Sequence, residues 1–558
     1  MNPKPLLYLS AFILMFIAGC SKKGTGTATT TPPTKKPVDS VPTSSPQLTA
    51  AYNTYTISCV NGGNFIEVSG TNTQGTKLQD GTALDQAQAS VNTTGATDRW
   101  QKWIISKQAS GYFTIMNLNS GKYLDVPQGS TVAGTTLDQY RASGDNRQLW
   151  SITTAGTGNY KIINIANGLA ITNHGASTTS GTPITQEAYT AATSQQWVLN
   201  AIAPDSYRDD AVVGFFQRTI GSDAFDGGAS VPLTSGANNG SVLWVTNDTF
   251  YSQVNGSNEF SCGLFFTYHN SALIQPATHS WDPTQTNNIT SPDGPQIFHD
   301  QNTNNLLWPG AGIEVGNHVY VHNIEVIAGT LTTINQYLGD ITEGTGNTIA
   351  LVPLITVPGM SGQTNITYSI GMVKPGDGYV YVYGSGGFLG SNIYVARFAE
   401  GSPASWTFWD GSTWAASPTT AQAAVVANGP VNNNTVGYAN GKYVLIAMDF
   451  GFSCDETSRN MYSSVSTSPT GPFTNKQTVY TLPDYKQGHA PVFYNPTIHA
   501  EFNNGHNELL VDYCVNFYSK NDGTGANCLT PCSNPDGSED PNDYRPKGVR
   551  IPFSLIGL

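Results

Sequence analysis

Only 11% of this 558-residue chain is charged, so a carboxylate set among strand-forming residues stands out. Asp226 opens Asp226-Gly227-Gly228, and Asp248 follows the strand-like run 242–245. Glu314 lies within Ile313-Glu314-Val315, and Glu501 comes two residues after His499, on the same strand face. Two carboxyl groups facing each other across a substrate, one giving a proton and one accepting it or attacking carbon, are the usual apparatus for breaking an acetal bond. In that chemistry Asp226 is expected as base or nucleophile and Glu314 or Glu501 as acid. His499 would orient substrate or tune a neighbour's pKa. Structural readings compete: an Asp beside Gly-Gly caps turns, and Asp248-Thr249 can end a strand.

The elements that must hold these groups recur. Phrases rich in Gly or Asn at 225–233, 307–315, 368–373, 433–438 and 494–499 each lead to a second strand, at 242–245, 318–322, 379–383, 442–448 and 508–513. A small β-sheet written five times predicts a five-bladed β-propeller over residues 205–558, its innermost strands lining one funnel. Composition agrees: 58 Gly, 32 Pro and 11% aromatic residues suit many short strands and tight turns rather than long helices, so the fold class is all-β.

A tighter repeat precedes the propeller. Gln101-Lys102-Trp103, Gln148-Leu149-Trp150 and Gln195-Gln196-Trp197 stand at intervals of 47 residues. Each closes a unit containing an alternating strand (55–57, 112–115, 160–163) and a Gly-Thr pair (75–76, 134–135, 181–182). None of the units can bury a core alone, whereas three packed about a pseudo-threefold axis can. Over residues 50–201 this resembles the ricin B-type β-trefoil of carbohydrate-binding module family 13. The resemblance implies a sugar site built from an Asp after the short strand, a stacking aromatic and an Asn-Gln pair. The second repeat offers Asp125, Tyr140, Asn146 and Gln148, with the Asn displaced by one residue. At the Asp position the first repeat has Glu67 and the third is read as Ile171, so one working site around Asp125 is expected.

The propeller also resembles known families. Residues 226–233, Trp244 to Phe250, His269-Asn270-Ser271, Trp308-Pro309-Gly310, Tyr394 to Arg397, Ser468 to Phe473 and His499-Ala500-Glu501 are similar to the bacterial domains of unknown function 4185 and 5005. The first of these includes the endo-D-arabinanases of glycoside hydrolase family 183. Asn247 and Ala500 depart from that pattern. The resemblance implies a glycoside hydrolase without a cofactor, with a structural calcium near the axis left open although no calcium-loop spacing occurs. Tyr268, Trp308 and Tyr494 could stack on sugars or belong to blade interfaces.

The N-terminus sets the expected compartment. Lys4, the apolar run 6–18 and Ile17-Ala18-Gly19-Cys20 resemble a bacterial signal peptide with a lipobox, which makes Cys20 the lipidated residue and 1–20 the leader. Residues 21–49, rich in Ser, Thr, Pro and Lys, read as a tether. The expected place is the cell envelope, at the outer membrane or cell surface, with the membrane reached through the lipid. An even set of further cysteines permits disulfides, at least one of them involving the cluster Cys514, Cys528 and Cys532. A zinc site there lacks paired C-x-x-C units. The net charge of −13 argues against a nucleic-acid or anionic-lipid partner, since both need clustered Lys and Arg. A monomeric glycoside hydrolase with an appended sugar-binding trefoil is the leading expectation. A non-catalytic glycan-binding lipoprotein and a scaffold for protein partners are the rivals.

Overall fold

The computed structural model describes residues 47–558 apart from 91–97, 293, 301–304, 331, 343–346, 351, 387–391, 430–432, 518–527, 530–531, 533 and 535. Cys20 and residues 21–46 of the expected tether lie outside the described residues. Nearly every element is a strand; the α-helices Asp210–Phe215 and Phe553–Ile556 are short. Among the described residues no helix is long and apolar enough to cross a membrane.

The N-terminal part is a β-trefoil. Strand Tyr52–Cys59 pairs with both Lys102–Lys107 and Trp197–Ile202, and Phe113–Asn117, Trp150–Gly156 and Asn159–Asn164 complete a six-stranded barrel. Hairpins of Phe65–Val68 with Thr82–Ala87, Tyr123–Asp125 with Asp138–Tyr140, and Ala170–Asn173 with Thr182–Glu187 cap it. Trp103, Trp150 and Trp197 are fully buried in the shared core. Their Nε1–H groups donate to the carbonyls of Ile66, Leu124 and Ile171 at 3.2, 3.3 and 3.1 Å. Gln101, Gln148 and Gln195 accept from the backbone of Ser90, Ser143 and Thr190 at 2.9, 2.8 and 2.7 Å. Each also donates to a carbonyl seven to thirteen residues earlier, of Gln88, Arg141 and Ala188. The repeated triplets are therefore spent on satisfying buried polar groups.

The same bonds correct two registers of the sequence reading. The tryptophan donors make Ile66, Leu124 and Ile171 equivalent, so the counterpart of Asp125 in the third repeat is Thr172. The equivalent turn glycines of the three repeats are Gly81, Gly134 and Gly181, whose N–H groups donate, each at 2.8 Å, to the carbonyls of Gln139, Gln186 and Gln86. Gly75 belongs instead to extra turns in the first repeat, where a Cβ would stand 2.1 Å from the Tyr485 carbonyl. Gln47 and Leu48, read as tether, are part of the trefoil: Leu48 is 6% exposed within the core and donates to Ile152 O.

The C-terminal part is a five-bladed propeller. Blade 1 holds Ala229–Pro232, Val242–Thr246, Ser271–Gln275 and Asn287–Asn288. Blade 2 runs Leu306–Val315, His318–Val326, Thr333–Thr342 and Leu354–Ile355, and blade 3 begins Thr367–Val373, Tyr379–Ser385, Asn392–Ala399 and Trp406–Trp409. Blade 4 is Asn434–Ala439, Lys442–Met448, Asn460–Ser466 and Thr474–Thr481. Blade 5 takes Val492–His499, Glu508–Asn516 and Lys547–Pro552, and borrows Tyr207–Arg208 from the start of the domain as its outermost strand. All five phrases read from the sequence fall on inner strands. These lie side by side, Val231 meeting Gly312, Ser369 meeting Gly310, Val436 meeting Gly371 and Ile498 meeting Gly437. They run in one direction where a second contact orders them, Glu314 lying against Thr234 of blade 1 and Lys374 of blade 3. A Cβ on Gly371 would stand 2.1 Å from Val436 O, so glycine is what lets these strands approach.

Disulfides join Cys262 to Cys532 and Cys454 to Cys528, while Cys514 and Cys59 are buried thiols. Two members of the expected cysteine cluster are thus bonded, each to a distant partner. The trefoil is fixed to the outer side of blade 5: Arg99 and Lys102 pair with Asp205 at 2.9 and 2.7 Å, and Lys122 pairs with Asp210 at 2.9 Å. Tyr52 and Tyr207 both donate to Glu508, at 2.9 and 2.7 Å.

Candidate functional site

The parallel inner strands give the funnel two ends. Their starting ends bring together Asp226, Asp248, His269, Trp308 and Tyr494. Asp226 precedes the first strand of blade 1 and faces the turn after the second: its N–H donates to Asp248 O at 3.2 Å, and Asn247 N–H donates to its carbonyl at 2.8 Å. Gly227 must be glycine at this turn, since φ is +65° and a Cβ would lie 2.6 Å from the Asn247 amide nitrogen. The Gly227 N–H donates to Cys514 Sγ at 3.2 Å, tying the turn to blade 5.

The two carboxyl groups have different surroundings. Tyr494 donates its hydroxyl to Asp226 Oδ2 at 2.9 Å. Burial, then the nearby Asp248 charge, push the Asp226 pKa up to about 7, against the opposing pull of Tyr544 and Tyr494 hydroxyls. Asp248 Oδ1 instead accepts from Trp308 Nε1–H at 3.0 Å and lies 2.7 Å from His269 Nδ1. One carboxyl is thus pushed toward keeping its proton, while one oxygen of the other faces an indole N–H and a histidine ring nitrogen.

Glu314, His499 and Glu501 are not brought to this cluster. Both Glu314 oxygens are taken at the far end of the strand, by the Thr234 N–H at 2.8 and 2.9 Å and the Thr234 hydroxyl at 2.5 Å, with Ser235 N–H at 3.1 Å. Thr234 lies past the strand Ala229–Pro232, at the opposite end from Asp226. With both oxygens bound there, Glu314 serves as the cap of the Thr234-Ser235 turn. His499 is fully buried between blades 5 and 1, its Nδ1 2.6 Å from Ser230 Oγ and its Nε2 3.3 Å from Asp512 Oδ1. Ser230 also donates to Glu501. Burial raises the pKa values of Glu501 and Asp512, with His499 opposing in each case. This buried network seals the closing blade interface.

In the trefoil, the expected sugar groups meet one another through Arg147. Asp125 is fully buried, Arg147 Nε lies 3.1 Å from its Oδ1, and the guanidinium sits 4.9 Å from the centroid of the Tyr140 ring. The carboxylate and the aromatic face assigned to a sugar are therefore both covered by one cation. Gln148 is pinned in its structural bonds, and Asn146 is exposed on the turn beside it. Asp138 lies against Asp125; burial chiefly raises the pair, Asp125 to about 6 with Arg147 opposing, and Asp138 to about 7 with Asp125 adding to the rise.

Arg147, Asp138, His269 and Tyr544 join these sites without having been expected from sequence. Arg147 carried a signal, since it stands between Asn146 and Gln148 where a small polar pair was expected. His269 lay within a quoted phrase but reaches Asp248 only because blade 1 folds its third strand back. Among the described residues, Cys262, Cys532 and Glu539 cluster at metal-ligand spacing, but the two sulfurs are joined to each other.

A family model described as "Domain of unknown function (DUF5005)" matches residues 209–552. A second, "Ricin-type beta-trefoil lectin domain-like", matches residues 99–187 and 148–208, so the trefoil is lectin-like. No curated protein matches the chain. Among solved structures, one from Bacteroides ovatus provisionally described as a hydrolase is 18% identical, covering 63% of this chain and 90% of that one, with a TM-score of 0.48. The designed threefold-symmetric protein ThreeFoil is 28% identical over 27% of this chain and 99% of its own, with a TM-score of 0.24. An exo-β-1,3-galactanase from Clostridium thermocellum is also 28% identical, over 27% of this chain and 30% of that one, with a TM-score of 0.24.

Proposed function

We propose that this chain, which belongs to the DUF5005 family, is a glycoside hydrolase of the cell envelope that cuts a polysaccharide at the starting ends of the propeller's inner strands. The observation that carries this reading is the Asp226–Asp248 pair with its unequal surroundings. Two carboxyl groups whose environments differ in this way divide into acid and base. Asp226, protonated near neutrality, gives its proton to the leaving oxygen. Asp248, oriented by Trp308 and His269, accepts a proton from water or attacks the anomeric carbon. Asp226 thus takes the acid's part, in place of the base expected from sequence. The lectin-like trefoil would present glycan at a fixed offset from blade 5. A lipid on Cys20 would hold the monomer at the outer membrane or cell surface. An arabinan is the first substrate to test, from the family resemblance of the propeller.

The test uses the chain without residues 1–44, because Ser45–Leu558 forms one compact unit. Incubated with arabinan, galactan, xylan and β-glucan, it should release reducing ends from at least one. Asp226→Asn and Asp248→Asn should each lose about 10²- to 10⁴-fold in rate. The parent rate should fall as pH rises through about 7, where Asp226 loses its proton. Binding to glycan with no product from any substrate would overturn the reading in favour of a non-catalytic glycan-binding protein.

A further inference from the structure

Phe450 is one of few large apolar side chains left exposed among the described residues, at 38%. A single exposed ring is ordinary, but this one begins a run. Phe450 and Phe452 lie with ring centroids 5.6 Å apart, and Phe452 stacks on Tyr494 at 6.3 Å and 25°. Tyr494 in turn donates to Asp226. The rings thus lead from solvent on blade 4 to the proposed acid.

The segment carrying them is held firmly. Asp449 accepts from Ser458 Oγ, Asn460 N–H and the Tyr462 hydroxyl at 2.7, 2.7 and 2.9 Å. Its carbonyl accepts from Asn433 Nδ2 at 3.1 Å, and Gly451 O accepts from Phe493 N–H at 2.8 Å. The Cys454–Cys528 disulfide closes the other end. An apolar ring kept in water at a fixed position, rather than folded inward, is suited to a partner that arrives with an apolar face.

We infer that Phe450 and Phe452 form a sugar-binding subsite for a neutral polysaccharide, extending the Asp226–Asp248 site on its blade 4 side. This rests on the proposed hydrolase reading. The C–H face of a sugar ring stacks on an aromatic ring without asking for a particular hydroxyl pattern, so the subsite adds grip on the chain. Trp308, bonded to Asp248, stands on the blade 2 side, so a polysaccharide laid over the carboxyl pair meets an aromatic in both directions. A carboxylated chain would bring like charge to Asp248 in a protein of net charge −13, which is why the substrate class is neutral.

The test compares the chain without residues 1–44, its Phe450→Ala/Phe452→Ala variant and Phe450→Trp by affinity electrophoresis in arabinan, galactan, xylan, β-glucan and polygalacturonate. Hydrolysis kinetics are followed alongside, and thermal melting checks that each variant folds. Loss of two ring contacts should weaken binding of the retarding neutral polysaccharide by roughly tenfold. KM should rise to match, and Phe450→Trp should bind at least as well as the parent. Equal retardation of parent and double variant in every gel, or no retardation of the parent at all, overturns the subsite. Phe-dependent retardation by polygalacturonate overturns the neutral class. Phe-dependent binding without hydrolysis retires the hydrolase and keeps the subsite, whereas hydrolysis without Phe dependence does the reverse.

Discussion

The trefoil and the propeller differ in how openly each shows its repeat, and in what it does with the groups that could hold a sugar. In the trefoil the repeat is kept at equal spacing, and every repeated residue goes into structure: three tryptophans and three glutamines all close buried bonds. Its one expected sugar site has Arg147 lying over both Asp125 and Tyr140. In the propeller the repeat is loose, and the candidate site uses residues that occur in one blade and not the others: Asp226 in blade 1, Trp308 in blade 2, Tyr494 in blade 5. Regular repetition reports the core, whereas chemistry collects where the repeat is broken.

The two domains should differ most in their effect on rate. Asp226→Asn should abolish most hydrolysis, about 10²- to 10⁴-fold, whereas Asp125→Asn in the trefoil should leave kcat on a short soluble substrate within about twofold of the parent, since no reacting group touches it. Equal losses would mean that catalysis is shared between the domains. Stability should show the reverse pattern. Trp150→Ala removes a fully buried ring from the trefoil core and should cost about 3–5 kcal/mol in chemical denaturation. Trp308→Ala takes away a partly exposed ring and one hydrogen bond to Asp248, so it should lower activity far more than it lowers the melting temperature.

Arg147 sharpens the contrast further. If its guanidinium occupies the place of a sugar, Arg147→Ala should raise the trefoil's retention in glycan gels while lowering its melting temperature, because Asp125 then stays buried without its cation. A variant that loses stability but gains no glycan binding would make Arg147 a structural partner and leave the second repeat without a site.

How much of this was legible follows from the range of each interaction. The trefoil and the five inner strands could be read because spacing and alternation are local properties. The partners of those residues could not. Glu314 and Asp226 look alike in sequence, each an acid within an inner-strand phrase. The turn at Thr234-Ser235 takes up both oxygens of the first, while Tyr494, 268 positions away, bonds the second. Likewise the tryptophan bonds that place Thr172 opposite Asp125 cross 26 residues or more, so counting along the third repeat stopped at Ile171, one residue short.

The smallest effect, and the one most particular to the trefoil, is its dependence on pH. An aspartate in an unfolded chain titrates near 3.9, whereas Asp125 and Asp138 are raised to about 6 and about 7 when folded. The folded pair therefore keeps protons that the unfolded chain has already lost, and acid stabilises it. That contribution is complete below about pH 4 and is lost as pH rises through 6 and 7. Asp205, depressed below its usual value by Arg99 and Lys102 against its own burial, works in the opposite sense and weakens the fold only at still lower pH. Melting temperatures followed from pH 4 to 8 should consequently fall across this window, and Asp138→Asn should flatten the fall by removing the carboxyl that titrates highest, the one the Asp125 charge helps to raise. An unchanged slope in that variant would mean that the two carboxyl groups already sit charged in the folded trefoil, with Arg147 sufficient to hold both.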